Sequence, residues 1–245
     1  MNAPSLLVIA HGSRDPRHAA TVHALVREAS ARRPGLRVET AFLDFNLPSV
    51  TGTLDRLAAE GVRDVVALPL LLTRAFHAKA DIPAVLREAP ASLRVRQAEV
   101  LGPSPLLLAA VERRLYEAGL RPADKRSTGV VLASAGSTDP EAIAAIAETA
   151  RELRRTGWCS VRPAFASASL PRTEDAVRAL RADGVRRVAV APYVLAPGRL
   201  PDRIAAGARE GGADVLADVL GPAPELARLL IERYDGARAE ERVAA

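Results

Sequence analysis

The sequence predicts an α/β protein built from two tandem copies of one parallel-sheet domain. Two observations carry that prediction. Apolar, β-branched runs alternate with stretches of helical periodicity, and four landmarks recur in the same order in the two halves. LLVIAHGSRDP (6–16) returns as VVLASAGSTDP (130–140), so that Pro140 follows Pro16 by 124 residues. ETAFLDFNLP, ending at Pro48, returns as RPAFASASLP, ending at Pro171, and AAEGVRDVVALPLLL returns as RADGVRRVAVAPYVL with Pro69 against Pro192, each 123 residues on. EVLGP, ending at Pro103, returns as DVLGP, ending at Pro222, 119 residues on. A repeat this long reads as two domains and not as a solenoid.

Each half has one rhythm. A first strand (LLVIA, VVLAS) ends in a polar turn, and a helix over 16–33 follows, with Val22, Leu25, Val26 and Ala29 on one face. Asp15-Pro16 and Asp139-Pro140 read as helix starts, an N-cap followed by proline at the first helical position. LRVETAFLD reads as the second strand, with another helix after it. VRDVVALPLLL is nearly all apolar, as in a strand buried on both faces. A loop is expected over 73–83, then a fourth strand, LRVRQAEVL, and a last helix. Alternating strands and helices make a parallel sheet with helices on both sides. The polar, proline-containing LRPADKRST (120–128) reads as the linker, dividing the chain into domains 1–122 and 123–245.

Bulk properties exclude several classes. The chain has 245 residues, 49% of them hydrophobic and 26% charged, with a formal net charge of +5. No apolar run is long enough to span a membrane, and the opening segment reads as a strand and not a signal peptide. One cysteine, Cys159, excludes an internal disulfide and a cysteine metal site, and it is given no role. A cytoplasmic location is expected. The basic residues are scattered, without a Lys/Arg block or interleaved aromatics, which argues against nucleic acid and leaves a polyanionic small molecule as the partner that the charge suits.

In parallel α/β sheets ligands gather at the carboxyl ends of the strands. There the two halves differ. His11 follows the first strand, where the second copy has Ala135; Asp44 ends the second strand, opposite Ser167. His77 lies in TRAFHAKADIP after the third strand; the second copy has only APGRLP there, and the spacing falls to 118 residues between Pro83 and Pro201. Gly12, Ser13, Asp15, Pro16, Pro48, Pro69 and Pro83 persist in both copies. Fold requirements alone would preserve both sets, so the first copy is expected to do the chemistry. Imidazoles and a carboxylate bind divalent metals and exchange protons near neutrality. The competing readings are structural. Either histidine can bond backbone, and Asp44 can cap the helix after NLPS. His18 and His23 read as solvated helix positions. Arg14, Arg74 and Lys79 flank the histidines, where they either grip substrate carboxylates or stay solvated.

IAHGSRDP, FLDFNLPSV and PLLLTRAFHAKADIP together resemble the class II chelatases, the sirohydrochlorin cobalto- and ferrochelatase family, over at least residues 6–222. The resemblance implies two flavodoxin-like or Rossmann-like halves, with His11 and His77 binding metal and accepting protons. Asp44 stands where the family usually has glutamate. Ser13, Arg14, Arg74 and Lys79 are the implied contacts to a tetrapyrrole with eight carboxylates. Fe²⁺ or Co²⁺ is then a co-substrate, with no retained cofactor, and the product feeds siroheme or cobalamin synthesis. The histidine-free tail, GARAEERVAA, tips the choice towards iron. A non-catalytic metal or tetrapyrrole carrier is the main alternative. A two-lobed binding protein is disfavoured, because it requires more than one crossing between lobes and the sequence suggests a single linker. A monomer is the default.

Overall fold

A computed structural model describes residues 3–74 and 77–244, with side chains described except at 77, 78 and 240–244. Its two units each contain a four-stranded parallel sheet. The first is Met1–Gly102 with Pro222–Ala245, and the second is Pro103–Gly221.

In the first unit, β1 (Ser5–Ala10), β2 (Val38–Phe42), β3 (Asp64–Pro69) and β4 (Arg94–Gln97) lie in the order β2-β1-β3-β4. All six residues of β1 are buried, as a central strand covered on both faces requires. Between them run α1 (Pro16–Arg32), α2 (Val50–Ala59) and α3 (Ile82–Arg87). Asp15 caps α1 as expected, accepting the N–H of Arg17 at 2.9 Å with Pro16 opening the helix. The four positions that the periodicity assigned to the core are the buried ones: Val22, Leu25, Val26 and Ala29. One core joins Leu7, Ile9, Leu54, Leu57, Val65 and Ile82.

The second unit repeats the plan. β5 (Thr128–Ser134), β6 (Ser160–Phe165), β7 (Arg187–Tyr193) and β8 (Val215–Leu216) lie in the order β6-β5-β7-β8. Its helices are α4 (Pro105–Glu117), α5 (Pro140–Arg155), α6 (Thr173–Ala182) and α7 (Arg199–Glu210).

Several expected boundaries move. The third strand stops at Pro69, and the expected loop over 73–83 is partly helical: a π-helical turn, His77–Asp81, runs directly into α3. Pro83 is placed in the first turn of α3, where its missing N–H costs nothing. The fourth strands shrink to four and two residues, because only those backbones pair with β3 and β7.

The domain division also differs from that read at 122/123. The last helix of each repeat is exchanged. α4, from the first repeat, packs on β7 and α5, whereas α8 (Pro224–Ala244) packs on α1 and β3. The apolar stripe of α8, including Leu226, Leu229, Leu230 and Tyr234, is fully buried, each such side chain being worth roughly 1.5–3 kcal/mol. The Tyr234 hydroxyl donates to the Pro4 carbonyl at 2.6 Å, and Arg233 donates to the carbonyls of Val100 and Leu101, both at 2.8 Å. The expected linker is no open tether. It forms a 3₁₀ helix, Pro122–Ser127, inside the second unit. Lys125 pairs there with Glu112 of α4 and lies 5.6 Å from the centroid of Trp158, whose indole N–H also donates to Glu112. The chain therefore passes between units twice, at 102/103 and 221/222. The single linker expected from the sequence, the ground for disfavouring a two-lobed binding protein, is replaced by two crossings.

Removing residues 222–245 should thus uncover the first sheet. We expect increased dye binding to apolar surface and proteolysis within 3–102, while Trp158, the only tryptophan, keeps its buried emission. Loss of the Trp158 signal ahead of damage to the first sheet would contradict the exchange.

Candidate active site

The order β2-β1-β3-β4 puts the reversal of strand order between β1 and β3. Crevices at such points bind ligands in open α/β sheets. His11 is the first residue after β1, and the segment leading to His77 follows β3. Backbone contacts fix the neighbourhood of His11. Its carbonyl accepts the N–H of Asp44 at 2.9 Å, tying the ends of β1 and β2 together. Gly12 has φ +96°, and a Cβ there would lie 1.9 Å from the Asp44 carbonyl oxygen. Only glycine allows that approach. The Ser13 N–H donates to Asn46 Oδ1 at 2.8 Å, and the Ser13 hydroxyl accepts the N–H of Asp15 at 3.1 Å.

The second copy reproduces this frame. Ala135 O accepts from Ser167 N at 3.0 Å, and a Cβ on Gly136 (φ +93°) would lie 1.9 Å from Ser167 O. Ser137 N donates to Ser169 Oγ at 3.4 Å, and Ser137 Oγ accepts from Asp139 N at 3.0 Å. The alignment read from sequence is therefore an alignment of backbone, retained where His11 is replaced by Ala135 and Asp44 by Ser167.

His11 is partly buried. Its Nδ1 lies 3.4 Å from the Gly12 carbonyl, and an imidazole that donates from Nδ1 carries its lone pair on Nε2. Asp44 is exposed and accepts the N–H of Phe45 at 2.8 Å. It does not cap α2; Ser49 does, accepting from Gly52 N at 3.1 Å. The backbone of His77 opens the π-helical turn, but its side chain lies outside the described residues. Among the described residues no three His, Cys, Asp or Glu side chains gather closely enough to hold a metal ion. Arg14, Arg74 and Lys79 are exposed.

Two residues were missed in the sequence. Phe45 is 50% exposed with φ +62°, its ring stacks on His11 at 6.2 Å between centroids, and the Arg14 guanidinium lies 5.2 Å from its centroid. Asn46 holds Ser13. Comparison of the repeats would have found Phe45, which stands opposite Ala168, had it extended beyond titratable groups. His18 and His23 are not solvated helix positions. Both are partly buried: His23 meets the Phe42 ring edge-on at 5.7 Å, and His18 Nδ1 is buried without a hydrogen-bond partner among the described residues. Helix α1 packs against β2 and turns both inward.

The model of the CbiX family matches residues 5–118 and again 129–237. The chain belongs to the CbiX family. Similar relatives include a sirohydrochlorin cobaltochelatase of Priestia megaterium, 30% identical over 82% of this chain and 67% of that protein. A sirohydrochlorin ferrochelatase of Bacillus subtilis is 27% identical over 82% of this chain and 77% of its own length. In fold, this CbiX-family chain superposes on SirB from Bacillus subtilis, solved with Fe³⁺, with a TM-score of 0.85 at 24% identity, covering 98% and 97% of the two chains. That likeness spans both sheets, so the two-copy α/β architecture is a shared one.

Burial, and then the nearby positive charge of His11, lower the pKa of His18. Below about pH 6.5 the unfolded chain takes up a proton at this position before the folded chain does, so stability falls as pH drops. Thermal melts of wild type between pH 7 and 5 should fall more steeply than those of His18→Gln. Parallel slopes would remove His18 from the account.

Proposed function

We propose that this chain inserts a divalent metal ion, Fe²⁺ or Co²⁺, into sirohydrochlorin. The observation that carries the reading is His11. It stands at the carboxyl end of the central strand, on a turn whose twin keeps the same backbone but has Ala135. Metal insertion must remove two pyrrole N–H protons as the ion enters the ring. A neutral imidazole does either half of that work, taking a proton or delivering the metal. His11 and His77 are the proposed pair, and Asp44 the carboxylate that helps to hold the incoming ion. Asp44 is exposed, and its neighbour on the frame, His11, is joined to it through backbone. Keeping ion and ring nitrogens together raises their effective concentration.

Arg14, Arg74 and Lys79 are exposed cations suited to the substrate's carboxylates, as the net charge of +5 also is. Ser13 braces the turn with its N–H and its hydroxyl oxygen, as Ser137 does, and its hydroxyl proton is the proposed donor to a substrate carboxylate. The metal is substrate here, and the product is a siroheme or cobalamin precursor according to which ion is used. The relatives named above include both a cobalto- and a ferrochelatase at comparable identity, so either ion fits this reading.

Insertion is followed by the absorption of sirohydrochlorin with Fe²⁺, Co²⁺ and Ni²⁺ side by side. We expect turnover well above the buffer rate, with His11→Ala and His77→Ala each losing most of it, on the order of 10²-fold or more. Asp44→Ala should act mainly at low metal concentration. Tight binding of the pigment without accelerated insertion of any ion would make the chain a carrier instead. A folded His11→Ala, His77→Ala double variant of full activity would refute the site.

A further inference from the structure

We propose that Phe45 is a positioning residue: its ring fixes the imidazole of His11 and the guanidinium of Arg14 in one arrangement at the carboxyl edge of the first sheet. This rests on the chelatase reading and assigns that site a residue which titratable chemistry alone does not reveal.

The turn after the second strand of each copy needs a residue at positive φ, +62° at Phe45 and +61° at Ala168. A bulky side chain is poorly suited to that conformation. Ala168 shows that the turn closes without a ring. Burial does not explain the ring either, since Phe45 is half exposed. Neither local conformation nor the core calls for phenylalanine here, so its contacts have to.

Those contacts are specific. The His11 ring lies 6.2 Å from the Phe45 centroid with 24° between planes, and Arg14 Cζ lies 5.2 Å from the same centroid. The second copy has Ala135, Ala168 and Thr138 at the corresponding positions. All three members of the cluster are present in one copy and all three are missing from the other, while the frame beneath them is retained. Arg14 has no ion pair with a carboxylate among the described residues. A guanidinium set over an aromatic ring keeps its N–H fork available for a carboxylate, and it loses less freedom on binding one than a solvated side chain does. An imidazole stacked on the same ring is held in its own plane. The expected substrate is one rigid object with carboxylates at its rim and nitrogens at its centre. A guanidinium and an imidazole indexed to one another through Phe45 address rim and centre together.

The test measures insertion rate against sirohydrochlorin and metal concentration, and also the binding of metal-free sirohydrochlorin by absorbance. Phe45→Ala should keep the fold and the wild-type melting temperature or better. It should lose about ten- to a hundred-fold in kcat/KM, with a raised KM for the pigment and an unchanged KM for metal. Phe45→Tyr and Phe45→Trp should restore activity to within about three-fold, whereas Phe45→Leu, apolar but without a π face, should not. Adding Arg14→Ala to Phe45→Ala should raise the pigment KM little beyond either change alone. Full activity in Phe45→Ala, rescue by leucine, or strict additivity with Arg14→Ala overturns the proposal and leaves the chelatase reading intact. If wild type binds the pigment but inserts no metal, the chelatase reading falls, and the binding losses of the same variants still decide Phe45. A wild type that does neither ends both.

Discussion

The contact on which the site depends is made by backbone alone. The carbonyl of His11 takes the N–H of Asp44, and Gly12 passes so close beneath that the Asp44 carbonyl occupies the space of a Cβ. This ties the carboxyl ends of two adjacent strands at hydrogen-bond distance. Side chains of the two termini are thereby delivered to one edge of the sheet without having to bind one another. A site placed in this way leaves the His11 and Arg14 side chains out of the strand-joining contact, while Ser13 and Asn46 brace the turn.

The duplication separates what the fold needs from what the chemistry needs. The glycine at positive φ, the serine whose N–H and hydroxyl brace the turn, and the aspartate-proline helix start occur twice with the same geometry. Asn46 is replaced by Ser169, yet each supplies a side-chain oxygen to the serine N–H. Such a change preserves a bond and signals structure. The exchange of His11, Arg14, Asp44 and Phe45 for Ala135, Thr138, Ser167 and Ala168 preserves neither charge nor ring at any of the four positions. That kind of change signals a function kept in one copy only.

The repeats in the sequence are not the units in space. Each sheet is completed by the last helix of the other repeat, α4 in the second unit and α8 in the first. A sheet missing that helix leaves an apolar face in water, so neither repeat taken as a contiguous segment holds a complete core. The short 3₁₀ helix Pro122–Ser127 is held by Lys125, Glu112 and Trp158, which makes it part of the second core's wall.

The sequence by itself determined the class of fold, the duplication, both α1 and α5 starts, and the first-copy residues worth testing. These are legible because burial on both faces of a strand, helical periodicity and N-capping are local, and because an internal repeat supplies its own comparison. Strand ends, the helical start of the 77–87 segment and the exchange of last helices were decided only by tertiary structure. An amphipathic helix declares that it has an apolar face, but nothing in its own residues says which sheet will cover it. The same holds for Phe45: the chain shows a phenylalanine beside an aspartate, and only packing brings its ring against an imidazole and a guanidinium from 31 to 34 positions earlier.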